Sequence, residues 1–293
     1  MVIVAPAIDW WMAFNPETCA MHKVWQGKMD FRGKVWDFSQ DNSRAEGRIL
    51  FASPSEIWRL ADDGRVPDGW KSDGLVPEKG GWTFPTSGAK LTSPPFDASG
   101  WRRVFLAFDE TGRKGRVHVE LADQAGRAAP QWFESATSVD SDTNWQWNFK
   151  RVERPTSSLR VTLSSTVPGK RVRNLRMYGD RPSWAGADGR PLSVVWGGYG
   201  LTDKTKAVDI DYTLRLPSGK SVSVRHRPES TQDGWTETLT VKGLPRGGSI
   251  ALRREGLSGG VDVGGQVPFK NGKWTFARDG AYRLTFSLRR GSR

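Results

Sequence analysis

At 293 residues the chain is long enough for two domains at roughly 100–200 residues each, and no stretch approaches the ~20 apolar residues of a membrane-crossing helix. Cys19 is the sole cysteine, which excludes an internal disulfide, a cysteine-rich zinc site and a CxxCH haem attachment. The formal charge of +12 is uneven: residues 1–54 are neutral, 55–180 carry +3 and 181–293 carry +9.

The 33 Gly and 17 Pro punctuate the chain into short segments that suit strands and turns. Residues 23–26, 34–38 and 47–51 are the first strand-like runs, β-branched or aromatic and bounded by turn formers. Ile57, Trp58, Arg59 and Leu60 suggest a brief helical turn, and 61–81 read as loop. The middle of the chain repeats a strand–turn rhythm. Val117, Val119 and Leu121 alternate with His118 and Glu120, and Leu159, Val161 and Leu163 alternate with Arg160 and Thr162. This is the period of half-buried strands in an antiparallel sandwich. Residues 182–191 read as a linker, and strands resume at 208–214, 221–226, 236–241, 249–252 and 282–288. The Pro217-Ser218-Gly219-Lys220 and Lys270-Asn271-Gly272-Lys273 segments predict tight hairpin turns. The expected fold is therefore all-β, with two antiparallel, jelly-roll-like β-sandwich domains. Residues 1–54 are too few to close a sandwich alone, so they are expected to pair with 188–293, with 55–187 inserted between them.

The run from Leu91 to Gly100 (LTSPPFDASG), the Asn144-Trp145-Gln146-Trp147-Asn148-Phe149-Lys150 run, and the strands at 158–163 and 172–177 resemble a jelly-roll carbohydrate-binding module over about residues 80–178. Where that family carries an acidic pair beside a structural calcium, this chain has Arg173-Asn174, so no metal is expected. The outer segments (Phe14-Asn15-Pro16-Glu17-Thr18-Cys19, 24–30 and 195–201) resemble a region found beside c-type cytochrome segments in large secreted bacterial proteins of planctomycete type. That likeness implies a secreted or periplasmic setting, with cytochrome or enzyme domains flanking this piece. Residues 1–6 lack the pattern of a signal peptide, and the chain reads as part of something longer.

Trp145, Trp147 and Phe149 recur at i, i+2, i+4 and share one strand face, which is either core or a platform for stacking on sugar rings. Trp132, next to Gln131 in a polar stretch, is the other candidate ring. Strand alternation groups it with Gln146 and Asn148, apart from Trp145 and Trp147. Trp70, Trp82 and Trp101 adjoin Gly- or Pro-rich turns, where loops carry binding more often than packing. Arg102, Arg103, Lys170, Arg171, Arg173 and Arg176 offer cations for carboxylate or sulfate groups, or a solvated face. No HExxH or GxSxG motif occurs, Gly197-Gly198-Tyr199-Gly200 is not followed by a helix, and His226 follows an exposed basic strand. No long Lys/Arg run points to nucleic acid. The expected function is non-catalytic binding of polysaccharide, anionic or sulfated polymers included, without a cofactor. Two other classes stay open: a β-sandwich lyase or hydrolase using Asp209, Asp211 or His226, and a structural or docking module of a redox assembly.

Overall fold

The computed structural model describes residues 2–7, 9–30, 44–60, 65–66, 68–78, 81–98, 101–112, 117–123, 125–128, 132–136, 146–153, 158–202 and 207–289. These residues contain no helix, and their strands pair antiparallel throughout, so the chain is all-β as its alternation and turn chemistry predict. It divides into two compact units, Met1–Pro54 together with Pro182–Arg293, and Ser55–Arg181.

The first segment is a meander of β1 (Val2–Ala7), β2 (Trp10–Asn15), β3 (Ala20–Asp30) and β4 (Arg44–Ala52). The middle unit then runs through β5 (Glu56–Arg59), β6 (Lys71–Asp73), β7 (Val76–Glu78), β8 (Gly81–Phe84), β9 (Lys90–Thr92), β10 (Phe96–Asp97), β11 (Arg103–Thr111), β12 (Val117–Asp123), β13 (Trp132–Ala136), β14 (Gln146–Glu153), β15 (Ser158–Ser165) and β16 (Lys170–Asp180). Seven of these strands form one sheet, β13-β14-β11-β16-β8-β7 with β5 also on β16. The other five form β10-β15-β9-β6 with β12 also on β15. Val104, Leu106 and Phe108 of the larger sheet and Val119, Leu121, Val161 and Leu163 of the smaller one enclose a single core, the product of strict alternation. Two expectations change here. Ile57 and Trp58 lie in strand β5, because Trp58 pairs with Met177 and packs on the core. Residues 61–81 contain β6 and β7, held by β9 and β8.

The last third comprises β17 (Trp184–Gly186), β18 (Ser193–Leu201), β19 (Val208–Arg215), β20 (Ser221–Thr231), β21 (Gly234–Lys242), β22 (Ile250–Arg253), β23 (Val261–Gly265), β24 (Lys273–Phe276) and β25 (Gly280–Leu288). Residues 182–191 are not a plain linker, since β17 pairs with β22 and the buried Trp184 donates its indole N–H to the Cys19 carbonyl at 2.9 Å. In the turn before β24, Asn271 (φ 50°) and Gly272 (φ 72°) adopt consecutive left-handed conformations, the chemistry that Asn-Gly favours. Residues near the chain start belong to the same core as the last strands. Phe14, Leu50 and Phe51 pack with Trp184, Trp274, Phe276 and Phe286, while Ala52 N–H donates to the Gly256 carbonyl (3.1 Å) and Ser258 N–H to that of Leu50 (2.9 Å).

One charge sits in the middle of that core. Glu237 on β21 is fully buried and accepts a hydrogen bond from the Arg254 guanidinium and one from Trp235 Nε1 (3.2 Å); His226 Nε2 lies 2.9 Å from the same carboxylate. Arg254 is itself 3 % exposed, with its guanidinium 4.8 Å from the centroid of Phe51 and 5.6 Å from that of Phe286. His226, expected on an exposed basic strand, is 1 % exposed because alternation along β20 turns it inward. Burial alone would raise the Glu237 carboxyl, but Arg254 and His226 outweigh it and hold the group at about 2, below its ordinary 4.5.

The folded state therefore binds this proton less readily than the unfolded chain. The associated stability, about 3 kcal/mol, is complete above pH 4.5 and is lost as pH falls toward 2. Urea denaturation followed by tryptophan fluorescence is expected to show that loss in the native protein and a flatter profile over the same window in Glu237→Gln. The variant itself should be less stable at neutral pH by about 3–5 kcal/mol, because it leaves Arg254 buried without its counter-charge.

Candidate functional site

The outer face of the larger sheet in the middle unit brings aromatic and cationic side chains together. On β11, Val104, Leu106 and Phe108 point into the core, so Arg103 and Phe105 point away from it. On β16 the alternation is interrupted. Val172 and Leu175 are both buried although three residues apart, and the intervening Asn174 takes a left-handed φ of 51° where the register against β11 shifts. The Asn174 side chain donates to Asp109 Oδ2, which anchors the irregularity. A bulge of this kind re-aims the side chains that follow it. Arg173 before it, and Arg176 and Tyr178 after it, all stay off the core while Leu175 and Met177 fill it.

Tyr178 stacks on Phe105, with centroids 5.2 Å apart and planes 18° from parallel. The Arg103 guanidinium lies 5.5 Å from the Phe105 centroid and the Arg176 guanidinium 5.9 Å from that of Tyr178. Arg103 Nε donates to Asp180 Oδ2 at 2.6 Å, so its position is tied. Arg173 and Arg176 make no ion pair among the described residues. Burial pushes the Tyr178 phenol up, Arg176 opposing and Asp180 adding, so it stays a neutral hydrogen-bonding group at physiological pH.

Backbone register continues from these positions into the neighbouring strands. Tyr178 pairs with Phe105, Phe105 with Arg151 and Arg151 with Trp132; two rows on, Arg173 pairs with Asp109, Asp109 with Trp147 and Trp147 with Ala136. Trp132 and Trp147 therefore meet β14 four residues apart, about 13 Å along the strand. Gln146 pairs with Glu110, and Asn148 with Phe108 and Ser135, in the alternate rows. Gln131 and Trp145 lie outside the described residues.

Other sequence candidates are placed differently. Trp82 is 1 % exposed and belongs to the core, and Trp58, Trp70 and Trp101 pack against it, with Trp58 and Trp70 edge to face at 4.9 Å. Lys170 is not a surface cation but a buried partner of Glu110 at 2.5 Å. In the other unit, Asp209 and Asp211 lie on the outer face of β19, each bound by its own arginine: Arg227 at 2.7 and 2.8 Å, Arg225 at 2.9 and 3.3 Å. The Arg227 contact holds the Asp209 carboxyl below its ordinary value, against the pull of partial burial. His226 faces the opposite side, so these three residues are not brought to one place. Sequence reasoning missed Phe105 and Tyr178, which sit in ordinary-looking strands; the Phe105/Val104–Leu106 alternation was the available signal.

Among the described residues no three His, Cys, Asp or Glu side chains converge to hold a metal ion, and no helix is long and apolar enough to cross a membrane. No protein-family model matches the chain, and no curated protein matches it either. The stacked pair is directly testable. A double-mutant cycle of Phe105→Leu and Tyr178→Leu, read by urea denaturation, is expected to give a coupling of about 0.5–1.5 kcal/mol.

Proposed function

We propose that the middle unit binds polysaccharide, without cleaving it, on the outer face of its larger sheet. The observation that carries this reading is the half-buried Phe105–Tyr178 stack beside Arg176, in register with Arg151 and Trp132. Aromatic faces take the apolar faces of sugar rings, and arginine takes carboxylate or sulfate groups in a planar two-point contact. Arg173 and Arg176 favour an anionic polymer over a neutral one. The stepped rows, with Trp132 and Trp147 about 13 Å apart along β14, suit an extended chain of several sugars rather than one small molecule. On this reading the chain is the binding part of a larger exported protein, an expectation that rests on the sequence resemblance of its outer segments.

Affinity electrophoresis and calorimetry against neutral, uronic and sulfated polysaccharides test the proposal. Arg176→Ala is expected to weaken an anionic glycan by about tenfold, the loss of one charge-assisted contact, with little change in melting temperature. Tyr178→Ala should weaken neutral and anionic polymers alike, and Trp132→Ala should do the same if its row is used. Affinity for the anionic polymer should fall several-fold from low to high salt, since exposed charges are screened over about 8–10 Å near physiological ionic strength. Unchanged affinity in all three variants would overturn the site, and release of shortened products would overturn the non-catalytic reading.

A further inference from the structure

The outer face of the six-stranded sheet β18-β19-β20-β21-β25-β23 holds a second feature, in the other unit. At Gly197 the register between β18 and β19 slips, with Trp196 opposite Tyr212 but Gly198 opposite Asp211. A β-carbon on Gly197 would meet the Asp211 carbonyl at 2.7 Å, and Gly198 has a φ of 120° with open space beside it. Two adjacent positions on this strand thus carry no side chain, and a shallow depression of about 410 Å³ opens next to them. That volume is within the ordinary range for small-ligand sites, roughly 300–1,000 Å³.

Strand alternation brings several polar side chains to its border. Thr213, Ser223 and Thr240 present hydroxyls, and Arg225, Lys242 and Asp211 present charge; Tyr212 and Val224 also border it, but their side chains are buried on the inner face. Cross-strand register puts Thr213, Ser223 and Lys242 in one row and Asp211, Arg225 and Thr240 in the next. Asp211 is neutralised by its two contacts with Arg225. Lys242 makes no ion pair among the described residues; nearby Asp279 accepts from the Gly243 and Leu244 amides at 2.9 and 2.8 Å, and those bonds together with the Lys242 charge hold its carboxyl below its ordinary value. Lys242, the Arg225–Asp211 pair and three hydroxyls are therefore presented together, while Tyr199, exposed two residues from Gly197, is not part of the lining.

We propose that this depression binds an oxyanion, a sulfate, phosphate or carboxylate group, carried on a small polar molecule or on a chain end. Lys242 supplies the compact charge, Arg225, whose Nε and Nη2 are taken by Asp211, adds a remaining guanidinium N–H, and Ser223, Thr213 and Thr240 complete the hydrogen bonds. A bare ion is smaller than the depression, so the carrier occupies the remainder. The site is independent of the polysaccharide face on the middle unit.

Calorimetry on the full chain with inorganic sulfate, inorganic phosphate, glucose 6-sulfate and glucose 6-phosphate tests it. Saturable binding of at least one sugar ester, tighter than of the matching inorganic ion, is expected. Lys242→Ala should weaken it by about tenfold and Thr240→Val by a few-fold, Lys242→Arg should retain most of it, and Tyr178→Ala should leave it unchanged. Lys242 is exposed and Thr240 half-buried on the outer face, so melting temperatures should change little and any loss of binding reads as loss of the site. Absence of saturable binding by all four probes, or binding that survives Lys242→Ala, would overturn the proposal. Loss in Tyr178→Ala would move the anion to the other unit and overturn it as well.

Discussion

The carboxylate of Glu237 organises the unit formed by the two ends of the chain. A charge in an apolar core is costly to desolvate, and it persists only where partners are fixed around it. Those partners come from far apart in sequence. His226 is on the neighbouring strand, Arg254 follows β22, and the rings around Arg254 belong to Phe51, Trp274 and Phe286. Moving β21 relative to the segment after β22 would leave an ion without its counter-ion in hydrocarbon, so the ion pair penalises wrong packings there more strongly than apolar contacts alone would. The middle unit repeats the device on a smaller scale, where Lys170 and Glu110 pair inside the sandwich and Glu110 also accepts from the Val117 amide at 3.2 Å.

Both candidate sites arise at interruptions of otherwise regular strands. In β16 the left-handed Asn174 inserts a step that lets Leu175 and Met177 reach the core while Arg173, Arg176 and Tyr178 remain outside. In β18 the consecutive Gly197 and Gly198, where the register slips, carry no side chain, and the depression lies beside them with Asp211 and Arg225 in its lining. A regular pleat would have sent every second residue inward and covered the rest evenly. The irregularities decide which side chains are left on the surface as groups rather than singly.

The abundance of tryptophan has a structural explanation. Trp25, Trp82, Trp184, Trp235 and Trp274 are among the largest fully buried side chains, distributed over the cores of both units. A large ring fills more core volume per inward position than an aliphatic chain. On the outer face of the larger sheet, Phe105 and Tyr178 are kept half-buried by stacking on one another and by the guanidinium groups over their rings.

Local chemistry alone determined the all-β class, the inward set of strands such as β12 and β15, and the Asn-Gly turn before β24, because each depends on alternation or on backbone preferences within a few residues. Exclusion of a disulfide and of haem attachment follows from composition in the same way. Only tertiary structure decided that Trp82 is core, that Lys170 and His226 are buried, that Trp184 lies in a strand, and that Asp209 and Asp211 are each neutralised by a different arginine. These outcomes depend on cross-strand register and on which sheet covers which face. Register is set by contacts between segments up to some two hundred residues apart, as between Phe51 and Leu257, and no window of sequence contains both partners.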